Sequence, residues 1–196
     1  MKKLMGMLVA GILLAACHNN PDNVNTAVKA NDHRSDSLAN KESITDSGAG
    51  IPSRQDADFM VKATAGNQLE VILGQLAQTH SSSPAVKHFG QMMIDQHGEG
   101  EREFRGLAVT KHIILPDTIS NKQKKEDDDL QKKSGKSFDK AYIDLMIKDH
   151  KDDIDEYKKA VHDANDSDVR ALALKLLPLL QAHLDTVQAL QKTTGS

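Results

Sequence analysis

Residues 91–104 read QMMIDQHGEGEREF, and residues 144–157 read DLMIKDHKDDIDEY. Laid over each other at an offset of 53 positions, Phe89, Met93, Ile94, His97, Glu103 and Phe104 match Tyr142, Met146, Ile147, His150, Glu156 and Tyr157. Methionine, histidine and aromatic residues recur here at intervals of three, four and seven, which is the spacing of one face of an α-helix. The repeat therefore predicts two related helices, each carrying a histidine on its apolar face.

Working outward, the same periodicity runs from Asp56 to the C-terminus, divided by stop signals into four long helices and one short one. The first spans Asp56 to about Thr79. Ser83 and Pro84 end the connection and open the second, as N-cap and first helical residue, and it continues to about Thr110. Pro116 breaks the chain. A very polar helix over SNKQKKEDDDLQKKS follows, stopped by Gly135 and lying on the outside because it lacks an apolar face. Ser137 caps the third long helix, which reaches about Ala164. The fourth runs from Asp168 to about Lys192, with Pro178 inside it as a source of bending. Helices of this length joined by short turns predict an all-α antiparallel four-helix bundle.

The inward stripes place one ionisable group near the middle of each long helix. They are Glu70, between Gly66 and Leu73; His97, between Met93 and Phe104; His150, between Met146 and Ile154; and His183, between Leu180 and Val187. A buried ionisable group is costly unless it is paired or coordinated. Neutral imidazoles with a carboxylate suit zinc, iron or copper, so Glu70, His97, His150 and His183 form a candidate metal site. Met93 and Met146, one turn from the repeated histidines, are candidate soft ligands that would favour Cu(I) if they face the same cavity. Asp149 and Asp153 are candidates to orient His150 from behind. The same residues also suit a metal-free reading, in which Glu and His hydrogen-bond each other and fix helix pairing while the methionines fill the core. Gly98 and Gly100 beside the stripe are expected to allow close helix approach or space around His97.

The chain of 196 residues has a formal net charge of −3 with interspersed signs, so no basic stripe suggests nucleic acid. It has no phosphate-binding glycine loop and no serine in a nucleophile-elbow setting, and no catalytic residue is legible. The other histidines, His18, His33, His80, His88, His112 and His162, fall in loops, polar faces or the N-terminal segment.

The N-terminus reads MKKLMGMLVAGILLAAC. Two lysines precede an apolar run from Leu4 to Ala16 that is short for a membrane span. LLAAC resembles the lipobox of bacterial lipoproteins, which implies cleavage after residue 16 and lipidation of Cys17. Several acyl chains would hold the protein on a membrane, and the expected location is the cell envelope, on the outer membrane facing the periplasm. His18 to Gln55 is polar and nearly free of large apolar residues, so residues 17–55 are expected to form a flexible tether, with at most a transient helix, ahead of a domain over 56–196.

Four blocks in order, DADFMVKATAGNQLEVILGQLA, VKHFGQMMIDQH, FDKAYIDLMIKDHKDDI and ALKLLPLLQAHL, resemble the bacterial family known as domain of unknown function 4142. The resemblance implies a ferritin-like bundle in an exported protein and no established reaction, and it puts the inward Glu and His blocks on Glu70, His97, His150 and His183. Di-iron ferritin-like sites add Glu three residues before each of two histidines. Here Ile94, Ile147 and Leu180 hold those places, which argues against ferroxidase chemistry. MMIDQH is also similar to the Met and His motif of an exported four-helix family linked to copper.

Overall fold

The computed structural model describes residues 22–39 and 53–194. Its described residues form six helices and no strand: α1 Asn23–Ala39, α2 Arg54–His80, α3 Pro84–Lys111, α4 Asn121–Gln131, α5 Gly135–Asp163 and α6 Ser167–Thr194. The fold is all-α. The apolar leader, Cys17 and residues 40–52 lie outside the described residues.

Local capping chemistry sets the helix starts. Ser53 accepts from the Asp56 amide while Asp56 accepts from the Ser53 amide, a reciprocal cap that opens α2 two residues before Asp56. Ser83 and Pro84 open α3 as their chemistry dictates. At α5 the structure departs from the sequence expectation. Gly135 does not stop the polar helix but is the first residue of α5, with φ of 58°, and Ser137 lies inside the helix, donating to the Ser134 carbonyl. The left-handed glycine swings the chain straight into α5, so one residue does the work expected of a stop and a separate cap.

The four long helices pack as α2 on α3, α3 on α6, α6 on α5 and α5 on α2. Hydrogen bonds at the two ends define their directions. At one end the Asp56 carboxylate accepts from the Asn165 and Asp166 amides, and Lys111 pairs with Asp166 and Asp168, joining the start of α2, the end of α3 and the α5–α6 turn. At the other, Asp139 near the start of α5 accepts from the hydroxyls of Ser81 and Ser82 in the α2–α3 turn. Neighbouring helices are therefore antiparallel, and the diagonal pair α3 and α5 runs parallel. The segment between them, including α4, crosses the length of the molecule. Leu130 is the only buried residue of α4, in agreement with its polar sequence.

The core falls into two apolar halves. Phe59, Phe104, Tyr157, Leu172 and Leu176 belong to one. Leu73, Phe89, Phe138, Tyr142 and Val187 belong to the other, with Met93 and Met146. On α3, α5 and α6 the histidine named above falls between the two halves, and on α2 Glu70 directly follows Leu69, the first α2 residue of the second half.

Over residues 22–39 the segment expected as a tether is a helix docked on the bundle. These residues form α1, which packs against α2 and buries Ala27 and Asn31. Asn31 donates to the carbonyl of Ile114 and accepts from its amide, both at 2.9 Å. Asp22 accepts from the amides of Asn25 and Asn121, linking the start of α1 to that of α4. Counting apolar residues misses this docking because an amide serving the polar backbone of the crossover segment holds it.

Close approach of α2 and α3 depends on two glycines. A β-carbon at Gly74 would stand 2.5 Å from the Gly90 carbonyl oxygen, and one at Gly90 would stand 2.8 Å from the Ala77 β-carbon. Gly98, by contrast, faces open space. Gly74→Ala is therefore expected to lower unfolding stability by about 2 kcal/mol as the helices are forced apart. Gly98→Ala should raise it by up to about 1 kcal/mol through helix propensity. Urea unfolding of the two variants beside the parent checks both signs.

Candidate metal centre

The parallel diagonal of α3 and α5 explains the repeat. Residues equivalent at the 53-residue offset meet across the middle of the bundle at equal heights: Phe89 with Tyr142 at 6.2 Å between ring centroids, His97 with His150 at 5.6 Å, and Phe104 with Tyr157 at 6.2 Å. The histidine layer is thus bounded above and below by an aromatic layer. His183 of α6 completes it, with centroids 5.0 Å from His97 and 5.3 Å from His150. One ring nitrogen from each of the three histidines lies within 4.8 Å of the others, and all three residues are at most 2% exposed.

Each ring has its outward nitrogen occupied by an acceptor. His150 Nδ1 lies 2.9 Å from the Met146 carbonyl oxygen, which can only accept, so Nδ1 carries the proton. His97 Nδ1 lies 3.0 Å from Asn67 Oδ1, and the amide of Asn67 is oriented by its Nδ2 donating to Ala63 O at 2.7 Å. Glu70 Oε2 is 2.7 Å from the same His97 nitrogen. His183 Nε2 meets Gln96 Oε1. This bookkeeping leaves lone pairs on His97 Nε2, His183 Nδ1 and His150 Nε2. The first two face each other at 3.1 Å, and the third is buried with no hydrogen-bond partner.

Three convergent imidazole lone pairs make a nitrogen donor set that fits a transition-metal ion. Two nitrogens on one tetrahedral zinc-sized ion are about 3.3 Å apart, close to the observed His97–His183 separation. Of the four expected ligands, the structure brings the three histidines together and gives Glu70 a different place. Its carboxylate stands behind the rings, on Nδ1 of His97 and 3.3 Å from Nδ1 of His150. It fixes tautomer and orientation, the role assigned from sequence to Asp149 and Asp153. Neither aspartate orients His150; the Met146 carbonyl does, and both aspartates line a cleft on the other side of Glu70. Met93 and Met146 are fully buried in the apolar half beside the histidines.

Asn67 and Gln96 escaped the sequence reading. Asn67 sits one turn from Ala63 and Glu70 on the inward face of α2, so a polar residue on that arc was the available signal. Gly100 serves Asn67, whose Oδ1 would be 2.8 Å from a β-carbon there.

Burial dominates the electrostatics. It pushes Glu70 up to about 7, partly opposed by charge on His150, and holds His97 down to about 3. His150 and His183 are also lowered, first by burial. All three rings are thereby kept neutral, the state that binds metal.

The family model for domain of unknown function (DUF4142) matches residues 41–190, and the chain belongs to that family. Among solved structures, a DUF305 fragment from Deinococcus radiodurans is similar at 14% identity, with a TM-score of 0.66 over 74% of this chain and 99% of that one. CopM in the Cu(I)-bound form is similar at 14% identity, with a TM-score of 0.60 over 70% and 96%. At such identity the likeness is one of fold. No curated protein matches the chain.

The depressed His97 has a pH signature in the metal-free protein. The unfolded chain takes up a proton near 6.5 that the folded state refuses until about 3, so this contribution to stability is present above 6.5 and lost as pH falls towards 3. The slope is about 1.4 kcal/mol per pH unit for one proton. Glu70 acts with opposite sign: its contribution is present below 4.5 and lost as pH rises through about 7. Urea unfolding in chelator from pH 7 to 4 should show the His97→Gln variant losing less stability on acidification than the parent, by about one proton's slope. Parallel curves for the two proteins would mean that His97 titrates normally.

Proposed function

We propose that this ferritin-like bundle binds a transition-metal ion on the ring nitrogens of His97, His150 and His183, with Glu70 holding the rings from behind. The observation that carries the reading is the buried, unpartnered Nε2 of His150, which faces inward beside two other rings whose protons are committed elsewhere. A lone pair buried without a partner costs free energy that an ion would recover. When bound, the ion would supply a positive charge that draws Glu70 back to its carboxylate form. Binding rather than turnover is inferred because the centre is enclosed by two aromatic layers and no catalytic residue is legible.

Zinc, copper and iron all suit imidazole. Copper is the first to test, because CopM, similar in fold, was solved with Cu(I). Met93 and Met146 would add thioether ligands favouring that ion if their sulfurs turn to the histidines. A second reading, a metal-free network serving only the envelope domain's structure or a protein partner, is favoured by the unbroken run Glu70–His97–His183–Gln96. A proton on either nitrogen between His97 and His183 would complete it, while still leaving His150 Nε2 unpaired.

We further infer that the protein is anchored in the cell envelope through acylated Cys17, on the strength of the LLAAC segment. In the same reading the anchor lies in the outer membrane and the domain faces the periplasm.

Two experiments decide these points. The full chain loaded separately with Cu(I), Zn(II) and Fe(II) is expected to retain one equivalent of at least one metal, and a still-helical His97→Gln, His150→Gln, His183→Gln variant none. Equal metal in both proteins would leave the network reading standing. Cys17→Ala expressed in a bacterial host is expected to move the protein from the membrane to the soluble fraction and abolish incorporation of labelled fatty acid. Unchanged fractionation and labelling would refute the anchor.

A further inference from the structure

The start of α1 is fastened to the start of α4 by one carboxylate. Asp22 Oδ1 accepts from the Asn25 amide at 3.0 Å and caps α1, while Oδ2 accepts at 2.7 Å from the amide of Asn121, the first residue of α4. Further along, α1 is held by buried Ala27, by the two bonds between Asn31 and the Ile114 backbone, and by Arg54, which pairs with Asp32 at 3.8 Å and with Asp36. The folded body therefore begins at Asp22. Cys17 lies only five residues before it. A chain of five residues spans at most about 18 Å even when fully extended. A flexible tether running to Gln55 would let the bundle drift well away from a surface that holds Cys17, and a span this short does not.

The surface beside Asp22 carries an excess of positive charge. The first half of α4 holds Lys122, Lys124 and Lys125, and the second half holds Glu126, Asp127, Asp128 and Asp129. At about 1.5 Å of rise per residue, all three lysines start within about 6 Å along α4 of the Asn121 amide that Asp22 grips. Lys122 is 79% exposed, and its ion pair with Glu126 is stretched to 4.0 Å. Lys125 is exposed and Lys124 half-buried, and neither makes an ion pair among the described residues. Lys124 stands close enough to Asp22 to help hold that carboxyl below its usual range, after the larger effect of the Asn25 amide.

We infer that the face carrying the starts of α1 and α4 rests on the membrane that holds the anchor, with Lys122, Lys124 and Lys125 against anionic phospholipid headgroups. The inference rests on the proposal that Cys17 is acylated. Two independent features carry it: the length of chain between anchor and fold, and the sign of the charge where that chain enters. Acyl chains place Cys17 at the level of the headgroups, so Asp22 lies within about 18 Å of them. Basic side chains are drawn to an anionic surface over about one Debye length, about 8 Å at physiological salt, which this span allows them to reach. The α2–α5 side of the bundle, which α4 covers, then faces the bilayer, and the α3–α6 side faces away. Repulsion of the acidic second half lifts the far end of α4 from the surface, so that helix meets the headgroups by its first turn and a half.

The test uses the full acylated chain in vesicles containing about a quarter phosphatidylglycerol. A fluorophore is placed on Asn25→Cys or on Ala182→Cys, both exposed, and its quenching by a nitroxide on the lipid headgroup is measured. Acylation blocks Cys17, the chain's only native cysteine, so the introduced thiol is the one labelled. Quenching at residue 25 is expected to exceed that at residue 182 by about threefold or more. A Gly-Ser spacer of about 20 residues inserted after Asn20 should bring the two positions within about 1.5-fold of each other while the protein stays in the membrane fraction. Lys122→Gln with Lys124→Gln and Lys125→Gln should lower the ratio by about twofold, as should replacing phosphatidylglycerol by phosphatidylcholine. Equal quenching at the two positions in the parent, or a ratio that survives the spacer or the lysine replacements, would overturn the inference. Failure of the anchor reading is seen separately, as protein without incorporated fatty acid, and takes this inference with it. Equal quenching in protein that does carry fatty acid sinks this inference alone.

Discussion

Four ionisable side chains stand in the middle of a core that is otherwise apolar, and the cost of removing them from water is the constraint on which the rest of the arrangement depends. Glu70, His97, His150 and His183 are each at most 2% exposed. None of these groups could be buried alone at tolerable cost. They are accommodated because Asn67, Gln96, Glu70 and the Met146 carbonyl each accept from, or stand against, one outward ring nitrogen. What remains is a set of lone pairs directed at one another. A layer of leucine in this place would avoid that cost.

The two copies of the Met and His segment lie on diagonal, parallel helices. This geometry turns an offset in the chain into a pairing in space, because parallel helices that start at the same end keep equal register along their length. Three successive pairs, two aromatic and one of histidine, meet in this way. The other two helices break the symmetry, α6 with a third histidine and α2 with a carboxylate and an amide. The resulting centre has three nitrogens on one side and a single acid behind them.

Nitrogen and oxygen donors are segregated on the two sides of Glu70. Towards α3 and α6 lie neutral rings that suit borderline or soft metals, and towards α4 lies a cleft lined by carboxylates. Occupation of the histidine centre would alter the charge on Glu70, which stands against two of its rings.

Helical period by itself determined which faces turn inward, and it did so for Glu70 and all three histidines because burial of an apolar stripe is a local property of spacing. Serine before proline marked the start of α3 for the same local reason. The 53-residue offset announced a pair of related helices. Heights along the bundle, and hence which groups meet, were decided by the tertiary structure through the Asp56 and Asp139 contacts at its two ends. So were the ring tautomers, since Asn67 and Gln96 are polar residues whose partners lie on other helices. Glu70 was legible as inward but not as standing behind the rings, and Asp149 and Asp153 were legible as neighbours of His150 but not as facing away from it into a cleft. The docking of α1 was hidden for a related reason. It rests on an asparagine bonded to the backbone of a distant loop, and hydrophobic pattern carries no record of such a bond.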